Sequence, residues 1–530
     1  MDNNARSNAK AEETGRSKRD KEPEISGNNN SSASENLSVQ ELAQEIESKL
    51  NSLHNSQHVT PDYCIFSIPG KISDENSAPY RPRYAIIGPL VYHAYLSAHH
   101  EEEKQRYLAA FLLRAHPNTS LIDFITLIKG SLAKIRGCYE RLYYRNWDDS
   151  SNRPRQYNRA STESDFLLLI RTILVDAGFI LELLLRAYSK EWRVENDLIF
   201  AKSGTIHDLK RDLMLLERQL PFFLLGDIYE LAFAGYPNYP SFLHLSCHFF
   251  GNYYNQSISI DDVLSPNNPH TFEYRSKLKD SKHFTDLIRT FQQPYPFQKH
   301  QHCSINNEDH QSHCGKWILK GKNHFMHLIS SQKPEPEGIL EEGKLQQQQG
   351  EYLYSAVLLR EAGVKFKVSL RTCLFDIEFD EKNGELKIPP LKVDDSTESF
   401  YGNLMVWEQC YYPNDTFICD YIFLMGYLIK SAEDVGILVR RRIMINQLGS
   451  PKAIVKMFNN LCKHIDVEKK NRYSSLFMKL NAYNAVPHHS WIAILKHQYF
   501  SSLWRGVATV AAIILLVLTM IQTIIALLSL

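Results

Sequence analysis

The chain ends in VATVAAIILLVLTMIQTIIALLSL, residues 507–530, a stretch without one charged side chain. A helix that begins at Val507 and ends at Leu528 would rise about 33 Å, enough to cross a hydrocarbon core of about 30 Å. Its valine, isoleucine and leucine side chains favour insertion into lipid. The sequence therefore predicts one transmembrane helix and makes the lipid bilayer a predicted partner.

The residues around the start of this helix predict its orientation. Tyr499, Phe500 and Trp504 are suited to the membrane interface, and Arg505 adds positive charge on the same side. Positive charge flanking a span usually stays in the cytoplasm. We therefore expect a single-pass protein whose N-terminal bulk faces the cytosol, in the plasma membrane or, as the alternative, an endomembrane.

A second apolar stretch, FLLLIRTILVDAGFILELLLR at 166–186, contains Arg171, Asp176 and Glu182. Each of these charges would cost about 2.5 to 3.5 kcal/mol near the middle of a bilayer. We therefore predict a long helix buried in a water-soluble core, with its charged side chains paired or turned toward solvent.

Charge and cysteine content exclude some classes of protein. Lysine plus arginine equals aspartate plus glutamate at 60 each, so no general basic field attracts nucleic acid. The nine cysteines lack the spacing that is typical of a disulfide-linked scaffold, which favours reduced thiols. One or two disulfides remain an open alternative.

Part of the chain before the terminal apolar stretch has the alternation of apolar and polar residues that is typical of β-strands. Three stretches, VKFKVS, LFDIEF and ELKIPPLKV, alternate apolar and polar residues, and Asn383 with Gly384 can turn the chain between the last two. They predict a small antiparallel β element in a mainly α protein of the α+β class.

The predicted parts of the chain are a disordered polar tail with an optional short helix at 1–56, a mainly helical domain at 57–291, a linker or insertion rich in His, Gln and Pro at 292–350, a β-hairpin plus helical region at 351–504, and the transmembrane helix at 507–528.

The segment HQHCSINNEDHQSHC offers soft ligands for a metal. Its spacing lacks the paired knuckles of structural zinc sites, so a flexible histidine-rich linker is the favoured interpretation. The metal candidates that the segment contains are His302, Cys303, His310, His313 and Cys314.

A cluster of carboxylates in VDDSTESF could also suit a cation. Asp395 and Glu398 have the spacing of a helix cap before an apolar helix, and capping is the favoured interpretation. We find no zincin, GxSxG or Rossmann pattern. The sequence thus predicts no catalytic residue, no cofactor and no enzyme.

Several stretches together resemble the plant family of domain of unknown function 247. They include CIFSIPGKI, IIGPLVYH, DAGFILELLLR, DLMLLERQLPFF, GELKIPPLKVDDSTESFYGNLMVWEQC and SAEDVGILV. The resemblance implies a plant protein with a C-terminal membrane helix and no established enzymatic activity. Grass relatives in this family act in self-incompatibility.

The predicted function is that of a membrane-tethered recognition or signalling protein that binds an unidentified protein partner. Two alternatives stay open at this point. One is an enzyme of uncharacterised type acting near a membrane, and the other is a scaffold that associates with itself.

Overall fold

The computed structural model describes most of the chain after residue 62. Residues 1–61 group as one unit, of which only Gln44 and Glu47 are described, both helical and exposed. The chain from residue 62 onward is a second, compact unit. Its described ranges are 63–89, 98–140, 143–148, 153–156, 163–195, 197–253, 259–265, 268–293, 353–371, 373–463, 471–485 and 503–528.

The second unit is mainly helical, as the sequence predicts. Short 3-10 turns connect several of its helices, among them Ala78–Tyr80 and Leu216–Arg218. The α-helices are α1 (Gly70–Glu75), α2 (Ala98–Arg114), α3 (Leu121–Gly137), α4 (Glu163–Tyr188), α5 (Leu198–Ala201), α6 (Thr205–Asp212), α7 (Phe222–Phe233), α8 (Phe242–Phe249), α9 (Ile260–Leu264), α10 (Phe272–Lys279), α11 (Phe284–Gln292), α12 (Ala356–Glu361), α13 (Thr397–Tyr411), α14 (Phe417–Leu428), α15 (Ala432–Arg440), α16 (Pro451–Cys462), α17 (Ser474–Asn484) and α18 (Leu503–Leu528).

Helix α4 organises the first half of this unit. Nearly all of its described residues after Arg171 are buried, and helices α2, α3, α7 and α8 pack against it. Arg171 is exposed, whereas Asp176 and Glu182 are fully buried and paired with cations. The prediction of a core helix whose charges are paired or exposed is therefore confirmed.

The second half packs onto the first. Helix α13 contacts the 3-10 turn Ala78–Tyr80 and helix α11 on one side, and helices α14 and α16 on the other. A continuous cluster of buried apolar side chains runs from Cys64 to Leu480. The division into domains at 57–291 and 351–504 stays a prediction.

The strands are short and peripheral. Strands β4 and β5 form the predicted antiparallel hairpin, and Gly384 in its turn has φ +62°. A Cβ at Gly384 would lie 2.3 Å from the Tyr483 hydroxyl oxygen, so the turn requires glycine there. The strands are β1 (Tyr143–Asp148), β2 (Arg153–Gln156), β3 (Lys365–Val368), β4 (Glu378–Asp380), β5 (Glu385–Ile388), β6 (Leu391–Val393) and β7 (Met444–Asn446).

The purely antiparallel arrangement expected for this β element is wrong. Strand β3 pairs in parallel with β5, giving the order β3-β5-β4, and β6 pairs in parallel with β7 from after helix α15. Strands β1 and β2 form a further antiparallel pair. Parallel pairing needs a crossover connection, and the local alternation of side chains does not specify one.

The prediction of a transmembrane helix is wrong. Across the described part of the chain, no helix combines the length and apolar character needed to cross a membrane. The span from Val507 to Leu528, the bilayer as partner and the single-pass location facing the cytosol, whether in plasma membrane or endomembrane, are therefore wrong. The interfacial role of Tyr499, Phe500, Trp504 and Arg505 stays a prediction.

Candidate functional site

A polar cleft of about 650 Å³ lies where the two halves of the second unit meet. We call it the Arg289 cleft. Its walls come from the end of helix α10, from helix α11 and from the connection between helices α13 and α14, with Arg472 at the rim. The lining residues are Glu273, Lys277, Asp280, Lys282, Asp286, Arg289, Thr290, Gln293, Tyr411, Tyr412, Asp415, Phe417 and Arg472.

Arg289 forms the floor of the cleft, and its side chain is only 2% exposed. Its Nε donates to Glu408 at 3.1 Å, and its Nη2 donates to the Asp415 carboxylate at 3.1 Å and to the Asp415 carbonyl. The guanidinium lies 3.8 Å from the ring centroid of Tyr412 and 4.6 Å from that of Phe417. Two acids and two rings thus hold the cation in one orientation.

Glu408 lies beneath Arg289 and is fully buried. Its second oxygen accepts hydrogen bonds from the backbone N–H groups of Ile418 and Cys419, each at 3.0 Å. These amides belong to the first turn of helix α14, which has unpaired donors that an anion satisfies. Burial raises the pKa of Glu408 to about 7, although Arg289 and the two amides oppose the rise.

Asp286 fixes the opposite wall. One of its oxygens accepts from the Trp407 indole and the Tyr412 hydroxyl, each at 3.0 Å, and the other accepts from the backbone of Lys282 at 2.9 Å. A buried carboxylate with three donors is well satisfied. Asp286 therefore ties helix α11 to helix α13 and is structural.

His283 continues this wall below the cleft. Its Nδ1 accepts from the backbone N–H of Asp286 at 3.3 Å, so its Nε2 carries the proton and donates to the Cys64 carbonyl at 2.8 Å. Burial lowers the pKa of His283 to about 4. The ring meets Trp407 edge to face, with centroids 4.4 Å apart. This neutral histidine is a packing element.

One nitrogen of the fixed Arg289 guanidinium is available to donate to a ligand that enters the cleft. Among the described residues no acceptor is assigned to Nη1 of Arg289, whose other nitrogens are occupied. Lys277 and Arg472 are exposed at the rim. Of the four lining acids, Asp286 and Asp415 are committed to the contacts above. Glu273 pairs with Lys277 at 3.0 Å, and the exposed Asp280 accepts from the hydroxyl of Ser276 at 3.4 Å. The arrangement suits an entering anion that completes the coordination of Arg289.

Titration of Glu408 gives a testable pH dependence. A carboxyl whose pKa is higher in the folded than in the unfolded protein binds more protons when folded, so its contribution to stability falls as pH rises from about 4.5 to about 7. Buried His283, with a lowered pKa, acts in the opposite direction over the same range. Glutamine does not titrate, so Glu408→Gln should lack this loss of stability with rising pH. We therefore expect the free energy of unfolding of the variant, relative to that of the wild type, to increase from pH 5 to pH 7.5.

Urea denaturation of both proteins at the two pH values measures this difference. Asp280→Asn, an exposed change at the rim, serves as the control and should leave the pH profile unchanged. Parallel profiles for wild type and Glu408→Gln would contradict the assignment of a titrating Glu408.

The carboxylates of VDDSTESF do not act together. Asp394 closes the turn before helix α13, accepting from the backbone N–H and hydroxyl of Ser396 at 3.0 and 2.7 Å. Asp395 instead pairs with Arg83 at 3.0 Å, and Glu398 accepts from the side chains of Asn76 and Asn460. The prediction that Asp395 and Glu398 cap the helix is therefore wrong, since the N-cap residue of helix α13 is Ser396 and no side chain makes a capping hydrogen bond there.

The predicted metal candidates His302, Cys303, His310, His313 and Cys314 lie outside the described residues. Within the described part of the chain, no group of three or more His, Cys, Asp or Glu side chains could hold a metal ion.

None of the residues in the Arg289 cleft was predicted from sequence. The one available signal was a charge inside an apolar helical stretch, as in FTDLIRTF for Arg289 and NLMVWEQC for Glu408. Charges in such positions are usually paired when buried. Sequence alone does not identify the partner, because these two residues are separated by more than one hundred positions.

Comparison with known proteins groups this chain with plant proteins. The profile of the family described as plant protein of unknown function, DUF247, matches residues 65–518. The UPF0481 protein At3g47200 of Arabidopsis thaliana is 26% identical over 473 residues, covering 88% of this chain and 86% of the relative. The putative UPF0481 protein At3g02645 of the same plant is 20% identical over 522 residues, covering 88% and 90%. No solved structure matches significantly.

Proposed function

Because the chain belongs to the plant protein family DUF247, whose function is unknown, we propose a function from its own geometry: it is a recognition protein whose Arg289 cleft binds an acidic segment of another protein. The observation that carries the proposal is the buried Arg289 guanidinium with one N–H edge left for a ligand. This is the recognition role expected from sequence, without the membrane tether.

A fixed guanidinium is well suited to bind a carboxylate. Its planar group offers parallel donors, and Tyr412 and Phe417 already hold its orientation. Little side-chain entropy is lost when a ligand binds to a group that is already ordered. The buried position also lowers the local dielectric and strengthens the interaction.

The size and chemistry of the cleft fit a peptide side chain and its neighbours. A volume of about 650 Å³ is within the usual range of ligand sites, roughly 300 to 1,000 Å³. Tyr411 and Tyr412 supply amphipathic contact area, and tyrosine is enriched where proteins bind one another. Arg472 adds positive charge at the entrance, where Lys277 is paired with Glu273; positive charge there favours encounter with an acidic partner.

The same geometry argues against acid-base catalysis by the histidine beneath the cleft. His283 is fully buried, both of its ring nitrogens are engaged by backbone groups, and burial lowers its pKa to about 4. A general base must reach the proton that it takes. Recognition therefore fits the cleft better than proton transfer.

Selection of peptides from a random display library tests this proposal. We expect the full-length protein to enrich peptides rich in aspartate and glutamate. The double variant Lys277→Glu/Arg472→Glu should bind them about tenfold more weakly, since two reversed rim charges easily remove about 1.4 kcal/mol. The matched control is Lys279→Glu, which changes an exposed lysine on the same helix α10 outside the cleft.

The control variant should retain wild-type affinity. Enrichment of peptides without acidic residues, or equal binding of acidic peptides to the double variant, would contradict the proposal. Because Lys277, Lys279 and Arg472 are all exposed, these substitutions leave the buried contacts of Arg289 in place.

A further inference from the structure

Two cysteines, distant in sequence, lie side by side in the second unit. The backbone N–H of Cys64 donates to the carbonyl of Cys138 at 2.9 Å, and that of Ile65 donates to the same carbonyl at 2.8 Å. The next residues continue as a parallel bridge between Ile65 and Tyr139. The Cys138 thiol donates to the carbonyl of Lys134 at 3.3 Å. Both cysteines are reduced in the structure.

This backbone pairing provides the geometry that a disulfide needs. Cys138 is the C-cap residue of helix α3, and the chain enters the bridge at Tyr139. Segments paired in this way lie about 4.8 Å apart, and disulfides join Cα atoms separated by about 4.4 to 6.8 Å. The parallel bridge between the next two residues, Ile65 and Tyr139, places Cys64 beside Cys138 in register. A bond could therefore form by rotation of the side chains, without movement of the backbone.

We propose that Cys64 and Cys138 are a redox pair that closes to a disulfide under oxidising conditions. The bond would fasten the segment that precedes helix α1 to the C-terminal end of helix α3. The Cys64 carbonyl also accepts the hydrogen bond of His283, so the pair lies against the wall of the Arg289 cleft. The inference does not depend on the proposed ligand.

Exchange with glutathione disulfide would supply the oxidation. Cys138 is partly exposed and Cys64 is buried, so the Cys138 thiolate attacks one sulfur of glutathione disulfide and releases one glutathione thiolate. The Cys64 sulfur then attacks Cys138, releases the second glutathione and passes its proton to it. The two protein thiols are oxidised to one disulfide, and one glutathione disulfide is reduced to two glutathione molecules.

The reduced pair should persist until an oxidant reaches Cys138. The hydrogen bond to Cys138, together with burial, raises the pKa of the Cys64 thiol far above its usual value. A protonated, buried thiol is a poor nucleophile. Cys64 therefore acts as the resolving thiol, not as the first to react.

Peptide mapping of the full-length protein tests the pair directly. After incubation with glutathione disulfide, non-reducing mass spectrometry should detect a peptide that links Cys64 to Cys138, and reduction should remove it. The linked protein should unfold about 5 °C higher than the reduced protein, because the bond closes a loop of many residues in the unfolded chain.

Two variants complete the design. Cys138→Ser should lose both the linked peptide and the thermal shift, whereas Cys410→Ser, which removes an exposed cysteine elsewhere, should keep them. Glutathione bound to Cys138 without resolution by Cys64, or a link between other cysteines, would overturn the proposal. The mapping of the wild-type protein decides this even if a variant folds poorly.

Discussion

Replacing Arg289 by methionine is expected to lower the free energy of unfolding by about 3–5 kcal/mol. Methionine preserves most of the side-chain volume but leaves Glu408 buried without its cation, and Asp415 loses both hydrogen bonds from Nη2. Removing one member of a buried ion pair leaves a charge that water no longer stabilises. Urea denaturation at neutral pH, followed by circular dichroism, measures the loss.

Two further variants separate this effect from a loss of packing. Lys277→Met breaks an exposed pair with Glu273 and should change stability by less than about 1 kcal/mol. The double variant Arg289→Met/Glu408→Gln removes both charges and should recover part of the loss, which identifies the coupling between them. A loss below about 1 kcal/mol for Arg289→Met alone would show that the pair contributes little to stability.

The same substitution also connects stability with recognition. Arg289 presents its remaining N–H edge to the cleft while its other nitrogens hold helices α13 and α14 in place. A residue in both roles cannot be altered to test binding without altering the fold. The exposed rim residues Lys277 and Arg472 are therefore the informative positions for the peptide experiment.

Local patterns in the sequence predict part of the fold. The apolar run at residues 166–186 predicts helix α4. Asn383 and Gly384 likewise predict the hairpin of β4 and β5. These features depend on residues close in sequence, where propensity and turn chemistry act directly.

Features that depend on distant residues were not predicted. The parallel pairing of β6 with β7 joins Leu391 to Met444, and the Arg289 cleft joins residues from three separate parts of the chain. No local pattern specifies such contacts, because they form only when packed helices bring the segments together. The terminal apolar run is the opposite case: a local pattern predicted a membrane span, and no described helix meets the requirements for one.

Replacing Lys104 by methionine is expected to destabilise the protein by a comparable amount, about 3–5 kcal/mol. The Lys104 side chain is 1% exposed, and its Nζ lies 2.7 Å from an oxygen of Asp176, which is fully buried. Nζ also donates to the carbonyl of Ile86 at 3.0 Å. The other Asp176 oxygen accepts from the backbone N–H of Gly88 at 2.9 Å.

The pair therefore joins helices α2 and α4 to the segment before residue 90. Methionine would fill the volume of the lysine stem but leave the Asp176 carboxylate without its cation and the Ile86 carbonyl without this donor. The control on the same helix is Arg106→Met, which breaks an exposed pair with Glu102 and should cost less than about 1 kcal/mol.

Chemical denaturation of the wild type and both variants provides the comparison. Equal, small losses in the free energy of unfolding for Lys104→Met and Arg106→Met would mean that water or local rearrangement replaces the Lys104 cation beside Asp176. A large loss confined to Lys104→Met would show that the charge in the middle of the apolar helix α4 is retained by a specific buried partner. Asp176→Asn combined with Lys104→Met should then recover part of that loss, because the uncompensated carboxylate is its cause.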